Sequence, residues 1–228
     1  AALAAGARRQ ATLLLKLATA LVDGLVCHLP SPEAGRLVAW SLVTARAHAA
    51  SRVGEVSAAA AAALRDADAA DAEREVRALV NLTAALASRD VTDFSCDAAG
   101  ASLDVGSAVY AALDTIAPLM TGGLLAFPKL GRAYFALLGH TLETYPHLLP
   151  SAPPALATAL LAALEHGCTV TGDEDLAKPS LEGLAALARW AARDAAGGGA
   201  GGATMGPHLG ARLVRPLLAS LLVGGDGS

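Results

Sequence analysis

Three aspartates, Asp66, Asp68 and Asp71, form the acidic cluster that most resembles a catalytic metal site. Carboxylates about one helical turn apart can hold Mg²⁺ in helical enzymes, where a second acidic motif faces them across a deep apolar pocket. The sequence contains no second motif of this kind. We interpret the three aspartates as a solvated turn and expect no metal site. An α-helical enzyme that uses this cluster is an alternative.

The histidines, cysteines and glycines also lack the spacing that chemistry requires. None of the six histidines has the spacing of a zinc motif, and no Gly-x-Ser-x-Gly elbow occurs. Gly197, Gly199 and Gly202 satisfy G-x-G-x-x-G, but a dinucleotide site needs a buried strand before the glycines, and a predicted helix precedes them here. These patterns therefore predict no catalytic motif of a known type and no bound cofactor.

Three glutamates, Glu143, Glu165 and Glu182, suggest a binding surface because they recur near the ends of predicted helices. Such a surface would attract a basic protein partner. The plain alternative is a solvated face. Trp40 and Trp190 are interpreted as packing residues rather than anchors for a partner.

Composition narrows the function classes. The chain has 228 residues, of which 54% are hydrophobic and 17% charged, with a net charge of −4. It is too apolar for a disordered tail, and its charge argues against nucleic acid as a partner. The most apolar stretch, 11–29, is interrupted by Lys16, Asp23 and His28, so we expect no membrane span. Three solitary cysteines predict a reducing compartment, cytosol or nucleus.

The elements that must position these residues are helices. Leu14, Leu17, Leu21 and Leu25 are spaced by three or four residues and share one helical face. Similar stripes occur within 76–86, 104–118, 130–145, 156–164, 184–191 and 209–221. No segment alternates like a strand, so the predicted class is all-α.

The spacing of the predicted helices favours a repeat architecture. From Asp104 onward a helix pair occupies roughly 45 residues, which is the period of HEAT and armadillo repeats. We predict an α-solenoid of about five HEAT-like antiparallel helix pairs, with 1–228 forming part of one superhelix. Within it we expect a loop at 90–102 and a Gly-rich flexible linker at 195–206. A helical bundle is the alternative.

An ordered series of short motifs carries a family resemblance. Pro-Leu-Met stands at 118–120, Phe-Pro-Lys-Leu at 127–130 and Glu-Thr-Tyr-Pro at 143–146. With the intervening residues, the series resembles the C-terminal part of exportins in the importin-β (karyopherin) superfamily. The resemblance extends over about 72–194. Because the sequence opens inside an apolar pattern and has no initiator Met, we expect a fragment.

The resemblance implies a function that spacing alone does not show. Members of this superfamily are HEAT superhelices that shuttle between nucleus and cytoplasm through nuclear pores, where they meet nucleoporins. They bind Ran-GTP and protein cargo, which in the resembled branch includes a hypusine-bearing translation factor and Smad-type proteins, with import of some Sox-type transcription factors. The GTPase chemistry belongs to Ran, so the resemblance implies no catalytic activity.

The same resemblance implies structural roles for the motif residues. Phe127, Pro128, Leu130 and Tyr134 would set the turn and the inner packing of one repeat, and Tyr145–Pro146 would end a helix. No matched position is assigned as a contact to Ran or cargo. Pro179 departs from the expected pattern, because a proline there either begins its helix or kinks it.

Overall fold

The computed structural model describes residues 2–29, 31–59, 66–88, 104–120, 122–169 and 173–202, and their side chains except at 2–8, 27, 31, 51–59 and 66–69. No strand occurs among these residues, which confirms the predicted all-α class. The helices are α1 (Ala2–Leu25), α2 (Ser31–Ala59), α3 (Asp66–Ser88), α4 (Val105–Ile116), α5 (Gly122–Leu125), α6 (Pro128–Thr144), α7 (Pro154–Thr169) and α8 (Glu174–Ala196). Short 3₁₀ turns lie at Val26–His28, Ala117–Leu119 and Pro146–Ser151. The chain divides into two compact units, Ala1–Leu137 and Leu138–Ser228.

In the first unit, each long helix packs both on the helix next to it in the chain and on the helix after that. α1 packs most extensively against α3, and α2 packs against α4. Contacts also join α1 with α2, α2 with α3, and α3 with α4. The core of this unit therefore forms between helices that are close in the chain.

The predicted apolar stripes of α1 and α3 differ in how far they are buried. In α3 the predicted stripe of Val76, Leu79, Val80, Thr83 and Leu86 is buried throughout. In α1 the core is formed by Leu15, Ala18 and Val22, and the predicted leucine stripe lies on another face, where most of it is exposed. The leucines do share one face, but α1 has a second set of apolar residues with the same helical spacing, and that set packs inward.

The ends of the helices in the first unit follow from local chemistry. Asp104 caps α4, because its Oδ1 accepts a hydrogen bond from the Ser107 N–H at 3.3 Å. α4 ends at Ile116, and Pro118 lies in the following 3₁₀ turn. The predicted turn at Asp66–Asp71 is wrong, since these residues begin α3. Carboxylates stabilise the positive N-terminal end of a helix dipole, and the intervening alanines are strong helix formers.

In the second unit, α7 packs against α8, and a pair of buried glycines brings α6 close to α8. A Cβ on Gly139 would lie 2.6 Å from the backbone carbonyl oxygen of Pro179, and a Cβ on Gly183 would lie 3.1 Å from the Cα of Gly139. The core residues of this unit include Leu142, Leu149, Leu156, Leu160, Leu164, Leu184, Leu187 and Ala191. The two helices therefore meet almost backbone to backbone at these glycines.

Pro179 lies inside α8. The helix begins at Glu174, after Asp173, whose Oδ1 accepts a hydrogen bond from the Asp175 N–H at 3.1 Å. Of the two expectations for Pro179, the one in which the helix begins at this residue is therefore wrong. Proline within a helix removes one backbone hydrogen-bond donor. Next to Pro179, the hydroxyl of Ser180 donates a hydrogen bond to the carbonyl oxygen of Leu176, one turn back, at 2.7 Å.

The Gly-rich segment is described as far as residue 202. Residues 195–196 end α8, 197–198 form a turn with Gly198 at φ +78°, and 200–202 have helical backbone. The flexibility of 195–206 stays a prediction. Residues 203–206, the loop at 90–102 and the apolar stripe at 209–221 lie outside the described residues.

Candidate protein-interaction site

The second unit contains a groove of about 500 Å³ between the C-terminal half of α8 and the segment where α6 ends. We call it the α8 groove. Its lining residues are Glu143, Thr144, Pro146, His147, Ala186, Arg189, Trp190, Arg193 and Asp194.

Two arginines form one wall of the α8 groove. Arg189 and Arg193 stand one helical turn apart on α8, and both are exposed. Among the described residues, neither guanidinium group has a hydrogen-bond or ion-pair partner. Guanidinium groups can donate hydrogen bonds to carboxylates or backbone carbonyls of a bound protein.

Trp190 lies half-buried between these arginines, and the Gly-rich turn packs against it. A Cβ on Gly201 would lie 3.1 Å from the indole ring, so the absence of a side chain permits this approach. The carboxylate of Asp194 accepts a hydrogen bond from the Gly202 N–H at 2.7 Å, which fixes the turn on the end of α8. The glycine turn therefore covers one side of the Trp190 indole ring.

The other wall is formed where α6 ends. Glu143 and Thr144 are in the last turn of α6, and Pro146 begins the following 3₁₀ turn, which carries the exposed His147. The groove therefore combines charges of both signs with an aromatic ring. Trp and Arg are enriched among residues that dominate protein–protein binding energy, so this combination suits a peptide segment of a protein partner.

The three predicted glutamates are not gathered in this groove. Glu143 is exposed and lines it, whereas the exposed Glu182 on α8 and the half-buried Glu165 on α7 are not among its lining residues. A continuous acidic surface made by all three stays a prediction.

The motif residues take structural positions. Phe127 is half-buried, Pro128 is the first residue of α6, and Leu130 and Tyr134 are fully buried. Tyr134 meets Phe135 edge to face at a centroid distance of 5.8 Å, and burial raises the pKa of Tyr134. At the other end, α6 stops at Thr144, so Tyr145–Pro146 end the helix as the sequence predicts.

Sequence reasoning did not identify the arginine pair or the role of the tryptophans. Trp40 was expected to be a packing residue, but it is 43% exposed on α2. Trp190 packs only in part, and its other side lines the groove. The signal in the sequence is Arg-Trp-x-x-Arg near the end of a helix that a glycine turn follows.

A smaller groove of about 330 Å³ lies between α1 and α3 in the first unit. It is lined in part by Lys16, Asp23, Arg74 and Arg77. Arg74 pairs with Asp71 at 2.9 Å, and Arg77 pairs with Glu73 at 3.1 Å. The arginines of this groove are therefore neutralised by carboxylates of their own helix.

A buried contact between a histidine and a glutamate joins α2 and α3. Nε2 of His48 lies 2.7 Å from Oε1 of Glu75, and their side chains are 10% and 4% exposed. Neither residue lines the two grooves described above. We interpret the pair as structural.

Groups that could serve metal or thiol chemistry are also placed by the structure. Within the described ranges, no three His, Cys, Asp or Glu side chains come together as metal ligands. Of the predicted acidic cluster, Asp71 pairs with Arg74, and the side chains of Asp66 and Asp68 lie outside the description. Cys168 is half-buried, and burial raises the pKa of its thiol, which disfavours the reactive thiolate.

None of the helices, as far as they are described, combines the length and apolarity needed to span a membrane.

No protein-family model and no solved structure matches the chain.

Proposed function

We propose that the chain is a non-catalytic, protein-binding part of a nuclear transport receptor in the importin-β superfamily, of the exportin type. The observation that carries this proposal is the ordered motif series, whose residues occupy structural positions at the two ends of α6. Pro128 begins that helix, Leu130 and Tyr134 fill the core, and Tyr145–Pro146 follow its end. Within the superfamily, the series most resembles exportin-4.

The packing of the first unit supports the finer proposal of HEAT-like antiparallel pairs. If α1 and α2 form one pair and α3 and α4 the next, stacking puts α1 on α3 and α2 on α4, and both contacts occur. In a simple up-down-up-down bundle, α1 would instead be adjacent to α4. No extensive contact between α1 and α4 occurs among the described residues.

The proposed mechanism is binding with coupling between partners. Ran-GTP and cargo bind to one superhelix, and each binding event favours the curvature that the other requires, with a coupling of typically about 1–3 kcal/mol. GTP hydrolysis by Ran removes this coupling and releases the cargo in the cytoplasm. The receptor itself changes no covalent bond. The proposed partners also include nucleoporins, and neither nucleic acid nor membrane is among them.

A capture experiment with the intact chain tests the proposal. Ran loaded with a non-hydrolysable GTP analogue and Ran loaded with GDP are passed over the immobilised protein. We expect retention of the GTP form only. Equal retention of the two forms, or retention of neither, would contradict a transport function.

The acidic surface requires its own test. Glu143, Glu165 and Glu182 are each changed to Lys, and binding of a basic cargo is compared with that of the unmodified chain. We expect binding to weaken at low ionic strength, because the changes reverse the charge of the proposed surface. Unchanged binding would remove these glutamates from the proposal.

A second candidate is a helical-repeat scaffold that binds proteins without dependence on Ran. The α8 groove favours it, because two exposed arginines beside a tryptophan suit protein binding and need no nucleotide-dependent partner. Capture of other proteins through this groove, with no discrimination between the two forms of Ran, would support the scaffold over the receptor.

A further inference from the structure

The α8 groove carries two positive charges that no carboxylate of the described residues neutralises. Within the described ranges, no acidic side chain lies at ion-pair distance from Arg189 or Arg193. In the smaller groove between α1 and α3, by contrast, Arg74 and Arg77 each pair with a carboxylate of their own helix. Of the two grooves, the α8 groove is therefore the one whose arginines suit carboxylates of another molecule.

The carboxylates that line the α8 groove lie on different sides of it. Asp194 follows Arg193 on α8, and its Oδ2 accepts a hydrogen bond from the Gly202 N–H at 2.7 Å. Glu143 is exposed on the other wall, in the last turn of α6. The groove therefore presents two arginines on the α8 wall and one glutamate on the wall across from them.

The spacing of the arginines indicates the conformation of a bound segment. Arg189 and Arg193 stand at i and i+4 on α8, a spacing that places side chains about 6 Å apart. In an extended peptide, alternate side chains point to the same side and lie about 6.6 Å apart, at about 3.3 Å per residue. Carboxylates at i and i+2 of an extended segment therefore match the two guanidinium groups. The side chain between them points to the opposite wall.

We propose that the α8 groove binds an extended segment of a partner protein in which the charges follow the order acidic, basic, acidic. The two acidic side chains accept hydrogen bonds from Arg189 and Arg193, and the basic side chain between them meets Glu143. The side of the Trp190 ring that lines the groove supplies an apolar contact. This inference rests on the proposed protein-binding function and specifies the chemistry of the partner at this groove.

The two walls disfavour a segment with charges of one sign. A wholly acidic segment would bring a carboxylate against Glu143, and a wholly basic segment would bring cations against both arginines. Like charges brought together at an interface suppress binding. An alternating segment places opposite charges on both walls.

Fluorescence titration of the full chain tests this inference. A Trp40→Phe background leaves Trp190 as the one indole of the chain. The probe is a capped Ala-Asp-Lys-Asp-Ala peptide, and the control is capped Ala-Asp-Asp-Lys-Ala, which has the same composition and net charge. We expect saturable binding of the probe, at least about tenfold tighter than that of the control, because the control cannot place both carboxylates on the α8 wall. No saturable binding of the probe, or equal binding of the two peptides, would overturn the proposal.

Variants of each wall locate the site. Arg189→Gln and Arg193→Gln should each weaken binding of the probe by at least about tenfold. Arg46→Gln, at an exposed arginine on α2, is the matched control and should leave binding unchanged. Glu143→Lys should reverse the preference at the middle position, so that Ala-Asp-Glu-Asp-Ala binds more tightly than the probe. If the arginine variants bind as the parent does, or the Glu143 variant still prefers Lys, the assignment of the two walls is wrong.

Ran capture with the same preparations separates this inference from the proposed function. Retention of Ran-GTP by a chain that does not bind the probe would overturn the groove assignment and leave the receptor function in place. Binding of the probe by a chain that retains no Ran-GTP would contradict the receptor function and support the groove assignment.

Discussion

Two glycines determine how closely α6 and α8 approach each other. The backbone carbonyl of Pro179 occupies the space that a side chain on Gly139 would require, and Gly183 lies against Gly139 itself. Backbone atoms cannot rotate aside as a flexible side chain can. Substitution here must therefore separate the helices or deform one of them.

We predict that Gly139→Ala lowers the free energy of unfolding by about 1–3 kcal/mol, which is the usual cost of overpacking. Gly24→Ala is the matched control, because nothing lies within 4 Å of a Cβ added at that helical position. There, the loss of chain entropy in the unfolded state should leave stability unchanged or raise it by up to about 1 kcal/mol. Urea unfolding of both variants measures the difference, and equal effects would contradict the close approach.

The buried pair of His48 and Glu75 is expected to affect stability most when only one of the two residues is replaced. Loss of one partner leaves the other buried without it, and such changes cost about 3–5 kcal/mol. We predict that Glu75→Leu strongly lowers the free energy of unfolding. His48→Leu should lower it less in the Glu75→Leu background than in the parent protein. Asp71→Ala, which removes an exposed pair with Arg74, should change stability by less than about 1 kcal/mol. Additive effects of the two buried substitutions would show that the pair is not coupled.

At the scale of elements, the sequence predicts the helical class and most of the buried stripes. In α3 the predicted stripe is buried, and Leu82 beside it is buried as well. α1 is apolar on two faces, so periodicity alone cannot determine which one packs inward. The core lies on the face of Leu15 and Val22, because α3 and α2 cover that side.

The α8 groove could not be predicted from the sequence. The α8 groove depends on where α6 ends relative to α8, which follows from the glycine contact between these helices rather than from either segment alone. Glycines near 200 indicate flexibility by composition, but their small size also allows the chain to pack on Trp190 and Asp194. Close approach between distant residues leaves no periodic signal in the sequence.

We predict that Asp194→Ala loosens the turn that covers Trp190. The substitution removes the acceptor of the Gly202 N–H. In a Trp40→Phe background, so that Trp190 is the only indole, acrylamide should quench its fluorescence more effectively than in the parent. Glu182→Ala, at an exposed position on the same helix, is the control and should leave quenching unchanged. Identical quenching in the Asp194 variant would show that the hydrogen bond does not hold the turn.

At the scale of the whole molecule, buried tyrosines link stability to alkaline pH. Burial raises the pKa of Tyr110 and Tyr134, so both keep their protons in the folded state above pH 10. An unfolded tyrosine loses its proton near about pH 10. The unfolded state then binds fewer protons than the folded state, and stability must fall as pH rises.

We predict that Tyr134→Phe makes this alkaline loss of stability shallower by up to about 1.4 kcal/mol per pH unit, the effect of one proton. The phenyl ring preserves the packing and removes only the titrating group. Urea unfolding at a series of pH values between about 9 and 12 measures the slope around the tyrosine pKa. An unchanged slope would mean that Tyr134 does not titrate on unfolding in this range.

The central claim for the whole molecule is that it couples a protein cargo to the nucleotide state of Ran. Calorimetric titration of cargo into the intact chain, with and without Ran bound to a non-hydrolysable GTP analogue, tests this claim most directly. We predict that Ran-GTP tightens cargo binding by at least about fivefold, that cargo tightens Ran-GTP binding by the same factor, and that Ran-GDP has no effect. Cargo affinity that is identical with Ran-GTP, with Ran-GDP and without Ran would contradict the account.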